Sequence, residues 1–474
     1  MGQVGDACFA HRVGMAGDRP FGHRKADPIG GELLGDVPEI GRGRDQRAPR
    51  GGFCRVTRRG LCGGVASRGG LCGVTASRGG LWCIHAEGHA MNPLYDNPSP
   101  WNRFTQIFAG FDGPLLVVVL LLGAAGMLTM YSAGFDHGTR FVDHGRNMLL
   151  AVGILFLVAQ VPPQRLMTLA APLYAIGVAL LVATAVMGVT KKGATRWLHV
   201  GIDIQPSEIL KIAMPLMLAW WFQRREGRTR VTDFFVGFLL LAVPVGLIVK
   251  QPDLGTAILV ASAGLYVVFF AGLSWRLILP IMLLGAVAVT AVVVSEDYIC
   301  QPEVKWPMLR DYQKNRVCTL LDPTTDPLGK GFHTIQSMIA IGSGGIHGKG
   351  FMKGTQTHLE FIPERTTDFI FAAYSEEFGL VGVGGLLLGF TFLILRGLLI
   401  ASEAPTMFTR LLAGSVTLSF FTYAFVNMGM VTGILPVVGV PLPFISYGGT
   451  AMVTLGLGLG ILMSIAKSRR FVQS

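Results

Sequence analysis

The chain has 474 residues, of which 51% are hydrophobic and only 15% are charged, and its formal net charge is +11. Soluble domains carry about 25% charged residues, so this composition and a mean hydropathy of +0.51 exclude a soluble globular protein. They indicate a protein that crosses a membrane several times. The sequence has a net positive charge but contains no motif that would indicate a nucleic-acid partner.

The first 90 residues differ in composition from the rest. They hold 21 of the 63 glycines and an imperfect repeat, RRGLCGGVAS, RGGLCGVTAS and RGGLWC. Such a segment cannot bury a core, so we expect residues 1–90 to be disordered or a mis-called start, with the natural start at Met91. Residues 91–474 then form the transmembrane domain. The absence of a CxxC pair argues against a zinc site formed by Cys54, Cys62, Cys72 and Cys83.

Apolar runs of membrane-spanning length recur from residue 113 to the C-terminus. They predict an all-α polytopic membrane protein with about ten transmembrane helices and one large extracytoplasmic loop, residues 296–367, before helix eight. The predicted spans are 113–134, 147–162, 167–189, 207–222, 233–250, 254–272, 276–295, 368–398, 409–432 and 448–467.

Basic residues in the short loops predict the orientation. The loop QRREGRTRV contains four arginines, and the C-terminal tail AKSRR contains Lys467, Arg469 and Arg470. The span count places both on the side of the N-terminus, so we expect this side to be the cytoplasm and both termini to be cytoplasmic. Residues 296–367 then lie outside.

Basic residues of short loops usually lie on the cytoplasmic side, and three cations on the predicted outer side are exceptions to this rule. Lys191, Lys192 and Arg196 lie in the loop before the fourth span, and the large outer loop is also rich in basic residues. An anionic ligand on the outer face would explain both observations. Trp197, beside Arg196, is either an anchor at the membrane interface or a platform that faces the ligand.

Two charges enter the fourth predicted span in the motif QPSEILK. Glu208 and Lys211 are three positions apart and therefore share a helix face. They form either an internal ion pair, or a site in which Lys211 presents its charge to a phosphate while Glu208 orients it. In the hairpin QPDLGT, Asp253 is predicted to be a turn or helix-cap residue.

The stretch ERTTDFIFAAYSEEFG places Asp368 at the mouth of the eighth predicted span. A carboxylate in hydrocarbon costs about 2.5–3.5 kcal/mol on insertion scales, so Asp368 predicts a functional site. On a continuous helix, Glu376 and Glu377 would lie about 12–14 Å deeper. There we expect them to make buried polar contacts between helices.

Two glycine-rich motifs resemble nucleotide-binding motifs only superficially. In GSGGIHGKG, Gly350 follows Lys349 where a phosphate-binding loop requires Ser or Thr. Its glycines are expected to let the loop turn back toward the membrane. LGLGLG in the last span is typical of close helix packing through small residues.

Cys300 and Cys318 are the only cysteines beyond the first 90 residues. Both belong to the predicted outer loop, in a compartment that permits disulfides. They form either a bridge or two unpaired thiols.

Several long motifs occur together between about residues 100 and 470: QPSEILKIA, LDPTTDPLGKGFHTIQSMIAIGSGGIHGKG, LEFIPERTTDFIFAAYSEEFGLVG and NMGMVTGILPVVGVPLPFISYGG. In this order they resemble the SEDS family, named for shape, elongation, division and sporulation. GTQTHLEF and PERTTD resemble its elongation members, because division members typically have Ala where Arg365 stands.

The resemblance implies a peptidoglycan glycosyltransferase that polymerises lipid II on the outer face of the bacterial inner membrane during elongation. It implies a class B penicillin-binding protein and the elongation machinery as partners, and Asp368 as the essential acid and general base. No cofactor follows from it, and a divalent cation is left open. The residues expected to bind substrate are Arg196, Trp197, Glu208, Lys211, Arg316, Gln336 and Arg365.

Other functions fit parts of these observations. A lipid II flippase would use the same anionic lipid and cationic cavity, but it would need access to both faces and no catalytic acid. A solute transporter would be expected to show inverted repeats, which are not evident in the sequence. A structural scaffold of the elongation machinery would leave the outer charges unexplained.

Overall fold

The computed structural model describes residues 72–77, 80–85, 111–135, 138–191, 194–199, 203–301, 304, 311–323, 330–362 and 364–473. The chain divides into two units, Met1–Asn97 and Pro98–Ser474. Within the first unit, strands β1 (Cys72–Ser77) and β2 (Gly80–His85) pair as an antiparallel hairpin. The other residues of the predicted 1–90 extension lie outside the described ones, so its disorder and its status as a mis-called start stay predictions.

The second unit is built almost entirely from helices. Its described helices are α1 (Gly113–Ala133), α2 (Arg140–Ala159), α3 (Pro163–Met187), α4 (Pro206–Gln223), α5 (Val231–Lys250), α6 (Leu254–Phe270), α7 (Trp275–Val294), α8 (Glu296–Ile299), α9 (Asp311–Leu321), α10 (Lys330–Gly344), α11 (Thr355–His358), α12 (Ile370–Ser402), α13 (Met407–Val431) and α14 (Gly449–Gln473).

The predicted all-α polytopic fold is confirmed. Eight helices in the described part of the chain are long and apolar enough to cross a membrane, namely α1, α2, α3, α5, α7, α12, α13 and α14. Helices α4 and α6 occupy the other two predicted span positions. The 17 residues of α6 make it short, and α4 has Glu208 and Lys211 in its first two turns. The number of spans therefore stays a prediction of about ten.

The core of the bundle surrounds α13 and α14, in which most side chains are buried. On α14, a Cβ at Gly456 would lie 2.5 Å from the carbonyl oxygen of Ala151 in α2. This close approach is the small-residue packing that the LGLGLG motif predicts. In contrast, all residues of α7 are described and none of them is buried.

Helix α12 is broken at Gly379, so the eighth predicted span, residues 368–398, is not one continuous helix. Gly379 adopts φ 63° and ψ −163°, a conformation essentially restricted to glycine. Main-chain bonds from the loop 345–350 replace the helical bonds that the break removes. The amides of Lys349 and Gly350 donate to the carbonyls of Glu376 and Glu377, in that order. The amides of Leu380 and Val381 donate to the carbonyls of Gly345 and Ile346. All four bonds are 2.9–3.0 Å long.

The loop before α4 forms a small antiparallel sheet, where no strand was predicted. Its strands are β3 (Val189–Lys191), β4 (Ala194–His199) and β5 (Asp203–Ile204), in the order β3-β4-β5. Leu198 of β4 lies opposite Ile204 of β5. The sheet gives the loop a defined backbone and so positions Arg196 and Trp197 on β4.

Candidate functional site

Asp368 lies in the turn 364–369 immediately before α12, and it is half-buried. Asn427 of α13 is completely buried, and its Nδ2 donates one hydrogen bond to the main-chain oxygen of Asp368 over 3.0 Å. The same nitrogen donates to the main-chain oxygen of Val440 over 2.7 Å. Asn427 therefore joins the backbone of Asp368 to the segment 432–448, which connects α13 and α14.

The Asp368 carboxylate rests against this connecting segment. Gly439 has a φ of 75°, and a Cβ built on it would lie 3.4 Å from Oδ2 of Asp368. The amide of Tyr447 donates to the main-chain oxygen of Thr366 over 2.9 Å, and Arg140 of α2 donates to the Thr366 hydroxyl. The turn that holds Asp368 is thus fixed by α2, α13 and the segment 432–448.

Arg365 is buried and contacts the protein itself. Its Nε donates to the main-chain oxygen of Ala133 over 2.9 Å, and its guanidinium carbon lies 5.5 Å from the ring centre of Phe135. Nη2 lies 3.6 Å from a carboxylate oxygen of Glu360. These contacts tie the turn before α12 to the end of α1, so the predicted substrate-binding residue Arg365 also has a structural role.

Arg196 lies near Asp253, with 3.6 Å between Nη1 and Oδ1. The Asp253 side chain accepts from the amide of Thr256 over 3.2 Å and caps α6, which confirms its predicted role. A Cβ at Gly255 would lie 2.6 Å from the main-chain oxygen of Val438, so this hairpin packs on the segment 432–448. Contacts therefore connect Arg196, through the hairpin, to the segment against which Asp368 rests.

Trp197 is half-buried on β4, opposite Val189 of β3. A half-buried indole in a small sheet is compatible with both predicted roles, the interfacial anchor and the ligand platform.

Glu208 and Lys211 form an ion pair, with Lys211 Nζ 2.6 Å from Glu208 Oε1. Their side chains are only 15% and 7% exposed. Thr454 of α14 donates to the other oxygen of Glu208 over 3.0 Å, and Lys211 Nζ lies 5.4 Å from the ring centre of Tyr423. Lys211, Tyr423 and Thr454 line a small cavity between α4, α13 and α14. The geometry matches the internal ion pair.

The two remaining predicted substrate-binding residues lie on the helices before α12. Arg316 of α9 lines a small pocket with Thr334 of α10 and residues 435–437 of the connecting segment. Gln336 is half-buried on α10. The structure joins Cys300 to Cys318 of α9 in a disulfide, with 5.7 Å between the two Cα atoms.

Glu376 and Glu377 are completely buried and make the polar contacts expected of them. The partners of Glu376 differ from the expectation, because its carboxylate binds the loop 349–357 rather than a neighbouring long helix. The atoms that donate to it are Nζ of Lys349, Oγ1 of Thr355, the amide of Gln356, and the amide and Oγ1 of Thr357. Glu377 accepts from the hydroxyl of Ser132 in α1.

Within the described residues, no group of three or more His, Cys, Asp and Glu side chains is arranged to hold a metal ion. Asn427 was missed by sequence reasoning, although an amide within an apolar run is the kind of polar intramembrane residue that marks a functional region. Its role depends on the contact between α13 and the turn 364–369, and the sequence pattern does not show this contact.

Comparisons with known proteins cover the same part of the chain. The model of the FtsW, RodA and SpoVE family, described as cell cycle protein, matches residues 114–471. The peptidoglycan glycosyltransferase MrdB of Escherichia coli (strain K12) is 46% identical over 383 residues, which are 80% of this chain and 99% of MrdB. A protein of Geobacter metallireducens named probable peptidoglycan glycosyltransferase FtsW is 32% identical, over 75% of this chain and 94% of its own.

Solved structures share the fold. The rod shape determining protein RodA of Thermus thermophilus is 28% identical with a TM-score of 0.55, over 76% of this chain and 97% of RodA. A chain from a structure described as the structural coordination of polymerization and crosslinking by a peptidoglycan synthase complex is 34% identical with a TM-score of 0.62. That match covers 76% of this chain and 98% of the other. This chain therefore belongs to the FtsW/RodA/SpoVE family of cell cycle proteins, which is the SEDS family.

Proposed function

We propose that this chain is a peptidoglycan glycosyltransferase that polymerises lipid II into glycan strands during cell elongation and rod-shape maintenance. The names of its relatives and the RodA fold support the activity. The observation that carries the assignment to a site is the position of Asp368. Its backbone is held by Asn427, and its carboxylate rests against Gly439 at the mouth of α12.

Asp368 acts as the general base in this proposal. Lipid II joins an N-acetylmuramyl sugar to a diphosphate, and the acceptor is a sugar hydroxyl. The hydroxyl oxygen attacks the anomeric carbon, its proton passes to the Asp368 carboxylate, and the bond to the diphosphate breaks with the electron pair leaving on oxygen. A single inverting displacement converts the α-linked donor into a β-linked chain.

Cations stabilise the diphosphate as it leaves. Arg196 is the better placed of the two predicted cations, because its side chain is 33% exposed whereas that of Lys211 is 7% exposed. Lys211 is buried against Glu208 and acts mainly by stabilising α4 among its neighbours. Charge that develops on the leaving oxygen strengthens the contact with Arg196 in the transition state.

The active site faces outward from the inner membrane, and both termini are cytoplasmic. The arginine-rich loop before α5 supports this orientation through the distribution of positive charge in short loops. Asp368 stands at the membrane boundary because the lipid tail of the substrate stays in the bilayer while its sugars lie in water.

A class B penicillin-binding protein is the proposed partner. The structural relative comes from a peptidoglycan synthase complex in which polymerization and crosslinking are coordinated, which supports pairing with a transpeptidase. The partner would crosslink the strands that this chain polymerises.

The test is incubation of the purified protein and its partner with labelled lipid II, followed by separation of glycan polymer. Asp368→Asn should reduce polymer formation by about 100- to 10,000-fold, the contribution typical of a general base. Glu360→Gln removes a carboxylate from the same loop, where Glu360 is 63% exposed, and should leave the rate nearly unchanged.

Full polymer yield from Asp368→Asn would refute the role of Asp368. An inactive wild-type protein that moves lipid II across vesicles would favour the flippase over the enzyme. A wild-type protein that neither polymerises lipid II nor moves it across vesicles would favour a scaffold.

A further inference from the structure

The disulfide between Cys300 and Cys318 lies at a place where the helical bundle offers little support. All residues of α7 are described, and none is buried. The short helix α8 that follows it also has no buried residue. Cys300 comes directly after α8, so no fully buried side chain of α7 or α8 anchors the chain before the bridge.

A lysine holds the same stretch of chain against α9. Lys314 is 7% exposed, and its Nζ donates to the main-chain oxygens of Gln301 over 2.5 Å and of Val304 over 2.6 Å. Lys314 and Cys318 are four positions apart and therefore share one face of α9. That face is fastened to residues 300–304 by one covalent bond and two hydrogen bonds.

The opposite face of α9 points toward the segment beside Asp368. Arg316, Thr319 and Leu320 line a small pocket with Thr334 and residues 435–437. At 100° per residue, these three positions centre on the side of the helix opposite Lys314 and Cys318. Helix α9 is thus bonded to residues 300–304 on one face, while Arg316 on the opposite face lines the pocket.

This pocket lies close to the catalytic centre along the chain. Residues 435–437 lead to Gly439, at which a Cβ would lie 3.4 Å from the Asp368 carboxylate. A shift of α9 would therefore move Arg316 relative to the same segment that supports Asp368.

We propose that the Cys300–Cys318 disulfide is a positioning device for Arg316, and that it sets the affinity for the lipid-linked diphosphate substrate. The inference rests on the proposed function. Arg316 supplies positive charge to the anionic substrate, and the bridge supplies the rigidity that α7 and α8 do not. Cys300 and Cys318 therefore act through Arg316 and not on the substrate.

The bridge also makes this affinity sensitive to the redox state of the compartment. Forming it removes two protons and two electrons from the two thiols, and a disulfide-bearing oxidant accepts them by thiol–disulfide exchange. A dithiol reverses the reaction through a mixed disulfide and releases both protein thiols. The oxidising compartment outside the inner membrane favours the bridged form.

The experiment measures KM and kcat for labelled lipid II polymerisation with and without dithiothreitol, using the full chain with its partner. Reduction should raise KM about 10-fold and leave kcat nearly unchanged, because a binding contact is weakened equally in the ground and transition states. A structural role alone would lower the active fraction, and therefore kcat, without changing KM.

Three variants separate the contributions. The double variant Cys300→Ser, Cys318→Ser should show the raised KM in oxidising buffer and no response to reductant, although it keeps the five cysteines of the N-terminal extension. Arg316→Gln should raise KM, and reduction should add little to the effect because both changes remove the same contact. Asn315→Ala, at an exposed position of the same helix, should behave like the wild type.

Hydrogen exchange of the α9 amides provides a readout that does not depend on activity. Reduction should accelerate exchange in α9 of the wild type and leave the double serine variant unchanged. An active wild type whose KM is the same in both buffers would overturn the inference and leave the proposed function intact. Inactivity in both buffers, with Asp368→Asn indistinguishable from wild type, would instead count against the proposed function.

Discussion

Substitution of Asn427 tests most directly whether the structure positions Asp368. Both hydrogens of its side-chain amide are used, one for the main-chain oxygen of Asp368 over 3.0 Å and one for that of Val440 over 2.7 Å. Asn427→Leu keeps the number and branching of the side-chain heavy atoms and removes both bonds. A buried acceptor that loses its donor costs about 1–3 kcal/mol, so the two together cost about 2–6 kcal/mol.

The same change should impair catalysis beyond its effect on folding. The turn that contains Asp368 would lose its link to α13, and a displacement of about 1 Å at a catalytic group can cost about 100-fold in rate. The assay is polymer formation from labelled lipid II per mole of folded protein, with thermal unfolding measured on the same preparations.

Ser415→Ala is the matched control on the same helix. The Ser415 hydroxyl is buried and donates to the main-chain oxygen of Ala263 over 2.7 Å, about 18 Å along α13 from Asn427. Its loss should cost about 1 kcal/mol of stability and leave the rate per folded molecule unchanged. If Asn427→Leu polymerises at the wild-type rate per folded molecule, Asn427 does not position Asp368.

Three further outcomes are expected. Lys211→Gln should lower the amount of folded protein in the membrane, because Glu208 loses its cation at a cost of about 3–5 kcal/mol. Adding Glu208→Gln should partly restore that amount. A slower polymerisation rate at normal abundance would instead assign Lys211 to the leaving group. Gly379→Ala should reduce abundance strongly, because its Cβ would lie 2.2 Å from the amide nitrogen of Gly348, whereas Gly384→Ala meets open space and should be neutral. A chain that begins at Met91 should support growth at equal expression, and loss of complementation would show that the extension is required.

Membrane crossing and family could be predicted from the sequence because both depend on local patterns. A low share of charged residues and recurrent apolar runs are sufficient to indicate transmembrane helices, since the bilayer requires each span to satisfy its own backbone hydrogen bonds. The spacing of Glu208 and Lys211 likewise predicted that their side chains share one helix face, and the structure shows them paired there.

The break in α12 could not be predicted in this way. A glycine in an apolar run is tolerated in an ordinary helix, and Gly379 leaves the helical conformation only because the loop 345–350 supplies replacement main-chain bonds. That loop and α12 are brought together by the packing of the whole bundle. The small sheet before α4 was missed because its strands are only two to six residues long, too short for a clear alternating pattern.

The sequence by itself predicted an acid at the membrane boundary, because Asp368 precedes a long apolar run. Only the tertiary structure decided what holds it. Asn427 and Gly439 reach Asp368 from 59 and 71 positions further along the chain, through a buried amide and a close backbone approach. Such contacts depend on how helices and connecting segments pack, and a linear pattern of residue types carries no record of that packing.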